Sequence, residues 1–149
     1  MSQVEVHILS TPEQREQAYE IRRRVFRDEQ HVPEEEEFDA DDEVAVHVLA
    51  TVSGEPAGTG RLVLHPNYGK IGRMAVLAGV RRHGVGRAIL ARLMDLAWER
   101  GATRLLLHAQ VHAIPFYAAA GFQVTSDEFE EAGILHRRME RTRSTQPPI

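Results

Sequence analysis

The sequence predicts an α/β fold, a mixed central sheet with helices on both faces. Three observations predict it. Short runs rich in β-branched residues are interleaved with segments of helical periodicity. One run, Leu105-Leu106-Leu107, is continuously apolar, the pattern of a strand covered on both faces. The 149 residues suit one domain with one substantial core, and no repeat or internal linker divides them. The domain is read as residues 1–141, with a polar, proline-rich tail at 142–149 expected to be disordered.

Val4 to Leu9 alternates Val4, Val6 and Ile8 against polar partners and reads as a strand. Thr11-Pro12-Glu13-Gln14 reads as a helix start. Thr11 can cap, Pro12 suits the first helical position and Gln14 can complete a capping box. Ala18, Ile21 and Val25 carry that helix to about Asp28, and Pro33 stops it. An acidic loop or short solvated helix follows. Val44 to Val52 and Pro56 to Leu64 read as a hairpin around Ser53-Gly54-Glu55, and Lys70 to Leu77 as a further strand. Gly84 to Arg100 is a long helix with Val85, Ile89, Leu93, Leu96 and Ala97 on one face, ended by Gly101. Arg104 to Ala109 is the buried strand, Pro115 to Ala120 a short helix, and Phe122 to Ser126 and Ile134 to Arg141 the last two strands.

Composition removes several chemistries. There is no cysteine, so no disulfide framework, thiolate zinc site or cysteine nucleophile. The N-terminus has no basic-then-apolar signal pattern, and no apolar run approaches the roughly 20 residues that span a bilayer. A soluble, cytoplasmic protein without a membrane partner is expected. Glu34 to Glu43 contains eight acids; removing these from the net charge of −4 leaves +4 for the rest. The default for Glu34 to Glu37 is a solvated face, whereas Asp39 and Asp42 are expected to have a structural or substrate role. A basic remainder suits a polyanionic ligand. The chain is not basic overall, so nucleic acid is not expected. His108 and His112 are four apart, but a strand end and loop lie between them and no glutamate follows His108, so no metal is expected.

The sharpest local signal is Arg81-Arg82-His83-Gly84-Val85-Gly86, between a strand and an amphipathic helix. A helix start presents unpaired N–H groups and partial positive charge, and the glycines leave them open to an anion. Arg81, Arg82 and Arg87 add formal charge, so a pyrophosphate would fit. Ile89 stands where a Rossmann loop wants a third glycine, and the Walker Gly-Lys-Ser/Thr is absent. The same residues also fit a tight turn with solvated arginines.

Arg81-x-x-Gly84-x-Gly86 resembles the coenzyme signature of the GNAT acetyltransferases. Arg73-Met74-Ala75-Val76 before it is similar to the family's preceding strand. Ala113-Ile114-Pro115-Phe116-Tyr117-Ala118-Ala119-Ala120-Gly121-Phe122 resembles its second motif. Arg22-x-x-Val25-Phe26-x-x-Glu29-Gln30-x-Val32-Pro33, Asp39-x-x-Asp42 with His47, Ala109-Gln110, and Ala132 to Met139 look like the ElaA/YjcF-like subgroup, with Leu135 where a proline is expected. The resemblance covers nearly all of the chain except the tail.

The resemblance implies the GNAT acyl-CoA N-acyltransferase fold, with a bulged fourth strand splayed from the fifth. It implies acetyl-CoA as co-substrate, no metal, and transfer of an acetyl group by direct attack in a ternary complex. The acceptor would be a primary amine of a small molecule or peptide. Met74, Ala75 and Val76 would hold pantetheine by their backbone, and one N–H would polarise the thioester carbonyl. Arg81, Arg82, His83, Gly84, Val85, Gly86 and Arg87 would hold the pyrophosphate, with Gln110 and Phe116 beside the coenzyme. Tyr117 would be the general acid, competing with a purely packing role for the Phe116-Tyr117 pair. Candidate bases are Glu29, His47, Asp127, Glu130 and His136, with Glu29 and His136 put forward; Asp42, His47 and Arg61 are candidate acceptor contacts. A homodimer is the family-level expectation. Two other readings use the same segments: an acyl-homoserine-lactone-synthase-like acyltransferase, and a non-catalytic acyl-CoA-binding sensor.

Overall fold

A computed structural model of the chain describes residues 3–143. Its strands are β1 (Val4–Ile8), β2 (Val46–Val52), β3 (Glu55–Leu64), β4 (Tyr68–Val76), β5 (Arg104–Gln110), β6 (Gln123–Val124), β7 (Phe129–Glu131) and β8 (Ile134–Thr142). They form one sheet in the order β1-β2-β3-β4-β5-β8-β6, with β7 also on β8. Every pairing is antiparallel except β4 with β5.

That exception opens the sheet. The parallel pairing covers only Tyr68–Arg104, Gly69–Leu105 and Lys70–Leu106. Beyond it, β4 runs on to Val76 and β5 to Gln110 with no pairing between them. A bulge assists the divergence. The β3–β4 register passes from Arg61↔Gly72 to Thr59↔Ala75, so Arg73 and Met74 lie opposite Gly60 alone. Arg73 takes φ +51° there, a left-handed value uncommon for a residue with a Cβ. An extra residue of this kind bends the strand and increases its twist. The splayed strands and bulge expected from the resemblance are therefore present.

Helix α3 (Val85–Glu99) seals one face with Val85, Ile89, Leu90, Leu93, Leu96 and Ala97. It lies close because β3 carries glycines beneath it. A Cβ on Gly60 would stand 2.9 Å from both Ile89 and Leu93. The other face takes α1 (Pro12–Arg22), whose Ile21 meets Leu49 and Ala75. Thr11 Oγ1 accepts the Gln14 N–H at 3.1 Å, as expected of a cap. Gln14 Oε1, however, reaches the Ser10 N–H, one residue before the position a capping box would use.

Three expectations change. The first helix does not continue uniformly: Arg23–Glu29 is wound as a π-helix, with the Gln30 N–H bonded to the Val25 carbonyl five residues back. Strand β7 stands where none was expected, hairpinned onto β8 through Glu131↔Ile134. The last strand runs past Arg141. Thr142 pairs with Arg104 and the Arg143 N–H bonds to the Thr103 carbonyl, and the rest of the expected tail, 144–149, lies outside the described residues. Two short helices complete the chain, α2 (Glu34–Glu37) and α4 (Ile114–Ala119). No helix among the described residues is long and apolar enough to cross a membrane.

Candidate active site

The opening between β4 and β5 is part of a cleft of about 590 Å³. Ile71 to Val76 line one wall, and Leu107, His108 and Gln110 the other. The π-turn contributes Phe26, Glu29 and Gln30, α4 contributes Tyr117, and the β7–β8 hairpin contributes Glu131 and His136. The β5-facing edge of β4 from Ile71 onward has no strand partner, so an extended ligand can pair with its backbone.

The glycine-lined start of α3 adjoins this cleft. Gly84 is its N-cap, at φ +81°, where an L side chain would be strained. No side chain caps the helix, so its first N–H groups are open to an outside acceptor. Arg81, Arg82, His83 and Arg87 are exposed around it. Val85 is buried at 1 % exposure, so it offers only its backbone. A Cβ on Gly86 would meet the Phe116 ring at 3.5 Å, which puts the two sequence motifs in contact. The loop therefore fits an anion such as a pyrophosphate. Arg81 is already engaged: its Nε donates to the Val76 carbonyl at 2.9 Å, and its Nη2 pairs with Glu29. Glu29 is thus on the cleft wall with a cation beside it.

Tyr117 directs its hydroxyl at the bulge, donating to Met74 Sδ at 3.8 Å. A thioether is a weak acceptor, so the phenol proton is lightly held. Phe116 and Phe122 pack edge-on against its ring. Burial pushes its pKa up to about 12. The group is a proton donor at neutral pH.

Arg61 lines the cleft, but Asp42 and His47 do not. They stand in a buried ion network. Arg22, 1 % exposed, donates Nε to Glu37 at 2.7 Å and grips both oxygens of Asp42 at 2.7 and 3.1 Å. Arg61 forks onto Asp39 at 2.7 and 3.0 Å and reaches Asp42 at 2.7 Å. Arg73 adds Asp39 at 3.1 Å and the Glu37 carbonyl at 2.8 Å. His47 Nε2 lies 2.8 Å from the Asp42 carbonyl, an acceptor only, so this nitrogen donates. Asp42 and His47 therefore spend their polar groups on the protein, away from the cleft. Glu37 also departs from the solvated reading of the acidic run: Glu34, Glu35 and Glu36 are exposed, but Glu37 is 3 % exposed.

Gln110 exchanges amide hydrogen bonds with Gln30 at 2.9 and 3.3 Å, tying β5 to the π-turn. His112 meets the same Gln110 amide at 2.8 Å. His136 is buried in the cleft wall, with Nδ1 2.7 Å from the Ile134 carbonyl. Asp127 and Glu130 do not line the cleft. Two residues not proposed for the site do line it with His136. Glu131 accepts from His108 Nδ1 at 3.0 Å, and this hydrogen bond holds its carboxyl below the usual range. Only the β7–β8 hairpin brings Glu131 back to β5, and its local signal is Gly133, at φ +76° in the two-residue turn with Ala132.

The family profile described as "Acetyltransferase (GNAT) domain" matches residues 9–143. The uncharacterized N-acetyltransferase YjcF of Bacillus subtilis (strain 168) is 39% identical over 133 residues, 89% of this chain and 95% of that one. The crystal structure of an acyl-CoA N-acyltransferase from Pseudomonas aeruginosa superposes with TM-score 0.82 at 25% identity, covering 95% of this chain and 100% of that one. Escherichia coli ElaA shares the fold, with TM-score 0.81 at 24% identity over 95% of this chain and 99% of its own. With a matching profile over nearly its whole length, this chain belongs to the GNAT acetyltransferases, within their ElaA/YjcF-like subgroup, and is an acetyltransferase enzyme.

Proposed function

We propose that the enzyme moves an acetyl group from acetyl-coenzyme A to a primary amine of a small molecule or peptide, by direct attack in a ternary complex. The observation that carries this reading is the unpaired β4 edge meeting an uncapped helix start at one end and Tyr117 beside its bulge. Acetyl-coenzyme A supplies the activated thioester. The backbone of Met74, Ala75 and Val76 holds the pantetheine arm, and an N–H there polarises the thioester carbonyl. Arg82, His83 and Arg87, with the N–H groups of Gly84, Val85 and Gly86, hold the pyrophosphate. Arg81 joins them by exchanging Glu29 for a phosphate oxygen. Gln110 and Phe116 border the arm. Tyr117 gives its proton to the departing thiolate. Glu29 or His136 takes the proton of the amine, and Arg61 braces the acceptor wall together with Asp42 and His47 behind it.

Thiol release from acetyl-coenzyme A over a panel of polyamines, aminoglycosides, amino acids and peptide N-termini tests the reaction class. Tyr117→Phe should lower kcat by about 100-fold, the usual scale of a lost general acid, with little change in the KM for acetyl-coenzyme A. Undiminished turnover with an unaltered pH profile would remove Tyr117 from the mechanism.

A further inference from the structure

We propose that Glu131 and His136 form the dock for the acceptor amine, with His108 as its positioning residue. A primary ammonium group bridges the Glu131 carboxylate and His136 Nε2, then yields its proton to His136. This rests on the transferase reading and names the groups that receive the acceptor.

The argument starts from the His136 ring. Its Nδ1 lies 2.7 Å from the Ile134 carbonyl, which can only accept, so Nδ1 carries the hydrogen. In the neutral ring Nε2 then holds a lone pair. That lone pair faces Glu131 Oε2 at 3.9 Å, beyond hydrogen-bond reach, and Nε2 has no hydrogen-bond partner among the described residues. Two acceptors thus stand side by side without a donor between them, one of them on a residue only 6 % exposed. His136 Nε2 opens on the cleft, where an entering donor can reach it. A donor with two hydrogens and a positive charge would satisfy both. A hydroxyl has one hydrogen, and a neutral donor leaves the carboxylate charge unmatched.

The surroundings hold this pair in register. His108 Nδ1 donates to the other Glu131 oxygen at 3.0 Å and turns the carboxylate toward His136. Phe129 lies flat over His136, centroids 6.0 Å apart, and edge-on to His108 at 5.0 Å. Glu131 keeps 44% of its side-chain surface, so an entering cation can reach it. Glu131, His108 and His136 all line the cleft that holds Tyr117 and the β4 edge.

The proton count closes. One N–H bond of the ammonium breaks, and its proton goes to His136 Nε2 and on to solvent. The freed lone pair forms the C–N bond, the C–S bond breaks, and sulfur leaves with the electron pair and takes the Tyr117 proton. The second nitrogen proton, lost as the amide forms, replaces it.

The test has a binding arm and a kinetic arm, both on the full chain. In the first, millimolar butylamine at neutral pH should shift the imidazole NMR signals of His136 and His108, butan-1-ol should not, and Glu131→Gln should abolish the shift. In the second, Glu131→Gln should raise the KM of the best acceptor in the panel by about 10- to 100-fold, the worth of one charged hydrogen bond, and leave the KM for acetyl-coenzyme A unchanged. Glu131→Asp should restore part of the acceptor affinity. Equal shifts from butylamine and butan-1-ol, or a Glu131→Gln enzyme with unchanged acceptor KM, would overturn the dock. If butylamine binds as described but no amine is acetylated, the transferase reading fails and the dock stands.

Discussion

Tyr117 illustrates how position changes the chemistry of one residue. Its half-buried phenol faces a thioether and aromatic edges, and the anion finds little there to stabilise it. Burial therefore raises its pKa from 10.0 to about 12. The sign follows directly. An acid whose folded pKa is raised leaves the fold undisturbed below pH 10 and costs stability as pH rises from 10 toward 12. Of the three tyrosines, one should ionise late. An ultraviolet titration should show a component near pH 12 that Tyr117→Phe removes; three tyrosines all ionising near pH 10 would contradict the burial. Tyr117 was legible in the sequence because its neighbours Pro115, Phe116 and Gly121 fix it within one short local motif. Glu131 was not, since its meaning depends on a hairpin return and on His108, 23 positions away.

At the scale of elements, the acidic run divides: Glu34, Glu35 and Glu36 stay on the surface, while Glu37 and Asp42 turn inward. Three arginines and three carboxylates, Arg22, Arg61 and Arg73 with Glu37, Asp39 and Asp42, join α1, α2, β3 and β4 along one side of the cleft, which Glu37, Asp39, Arg61 and Arg73 line. The two most buried acids respond in opposite directions. Burial raises both, but Asp42 accepts from Arg22, Arg61 and the Asp39 N–H, which outweigh burial and hold it at about 2. Glu37 keeps one oxygen without a hydrogen-bond partner, and there burial prevails. Arg22 is the shared cation. Arg22→Met should destabilise the protein by about 3–5 kcal/mol, because it leaves the buried Glu37 carboxylate without its hydrogen bond and takes two from Asp42, and Arg22→Lys should rescue little, because an ammonium cannot fork. Chemical denaturation measures both; a loss below about 1 kcal/mol would make the network incidental. Pattern reading placed the long helix α3 to within one residue at each end, where 3.6-residue periodicity and glycines mark it. It did not find the π-turn at Arg23–Glu29. One extra residue per turn leaves the apolar spacing of Ala18, Ile21 and Val25 intact, while swinging Phe26, Glu29 and Gln30 into the cleft.

The whole molecule is a sheet nearly divided in two. β1 to β4 form one half, β5 to β8 the other, and the two meet through three residue pairs of β4 and β5. Side-chain ties assist, the Gln30–Gln110 exchange among them. The resemblance of the coenzyme loop and the strand before it made the opening foreseeable, but the length of the remaining contact depends on the bulge at Arg73 and Met74, which no local residue pattern fixes. A ligand lying along the free β4 edge should act as a missing seam. At 100 times its dissociation constant a ligand adds about 2.7 kcal/mol, which for a domain of this size corresponds to roughly 5–10 °C in Tm. Coenzyme A should produce that rise, and hydrogen exchange should slow along residues 71–76 and at the start of α3. Pantetheine, without the pyrophosphate, should protect the β4 edge at saturation but leave the start of α3 unprotected. Added salt should weaken coenzyme A more than pantetheine, because the arginines around Gly84 are exposed and their attraction is screened. A rise in Tm with no protection on the β4 edge would mean that coenzyme A binds elsewhere, and the opening between β4 and β5 would need another occupant.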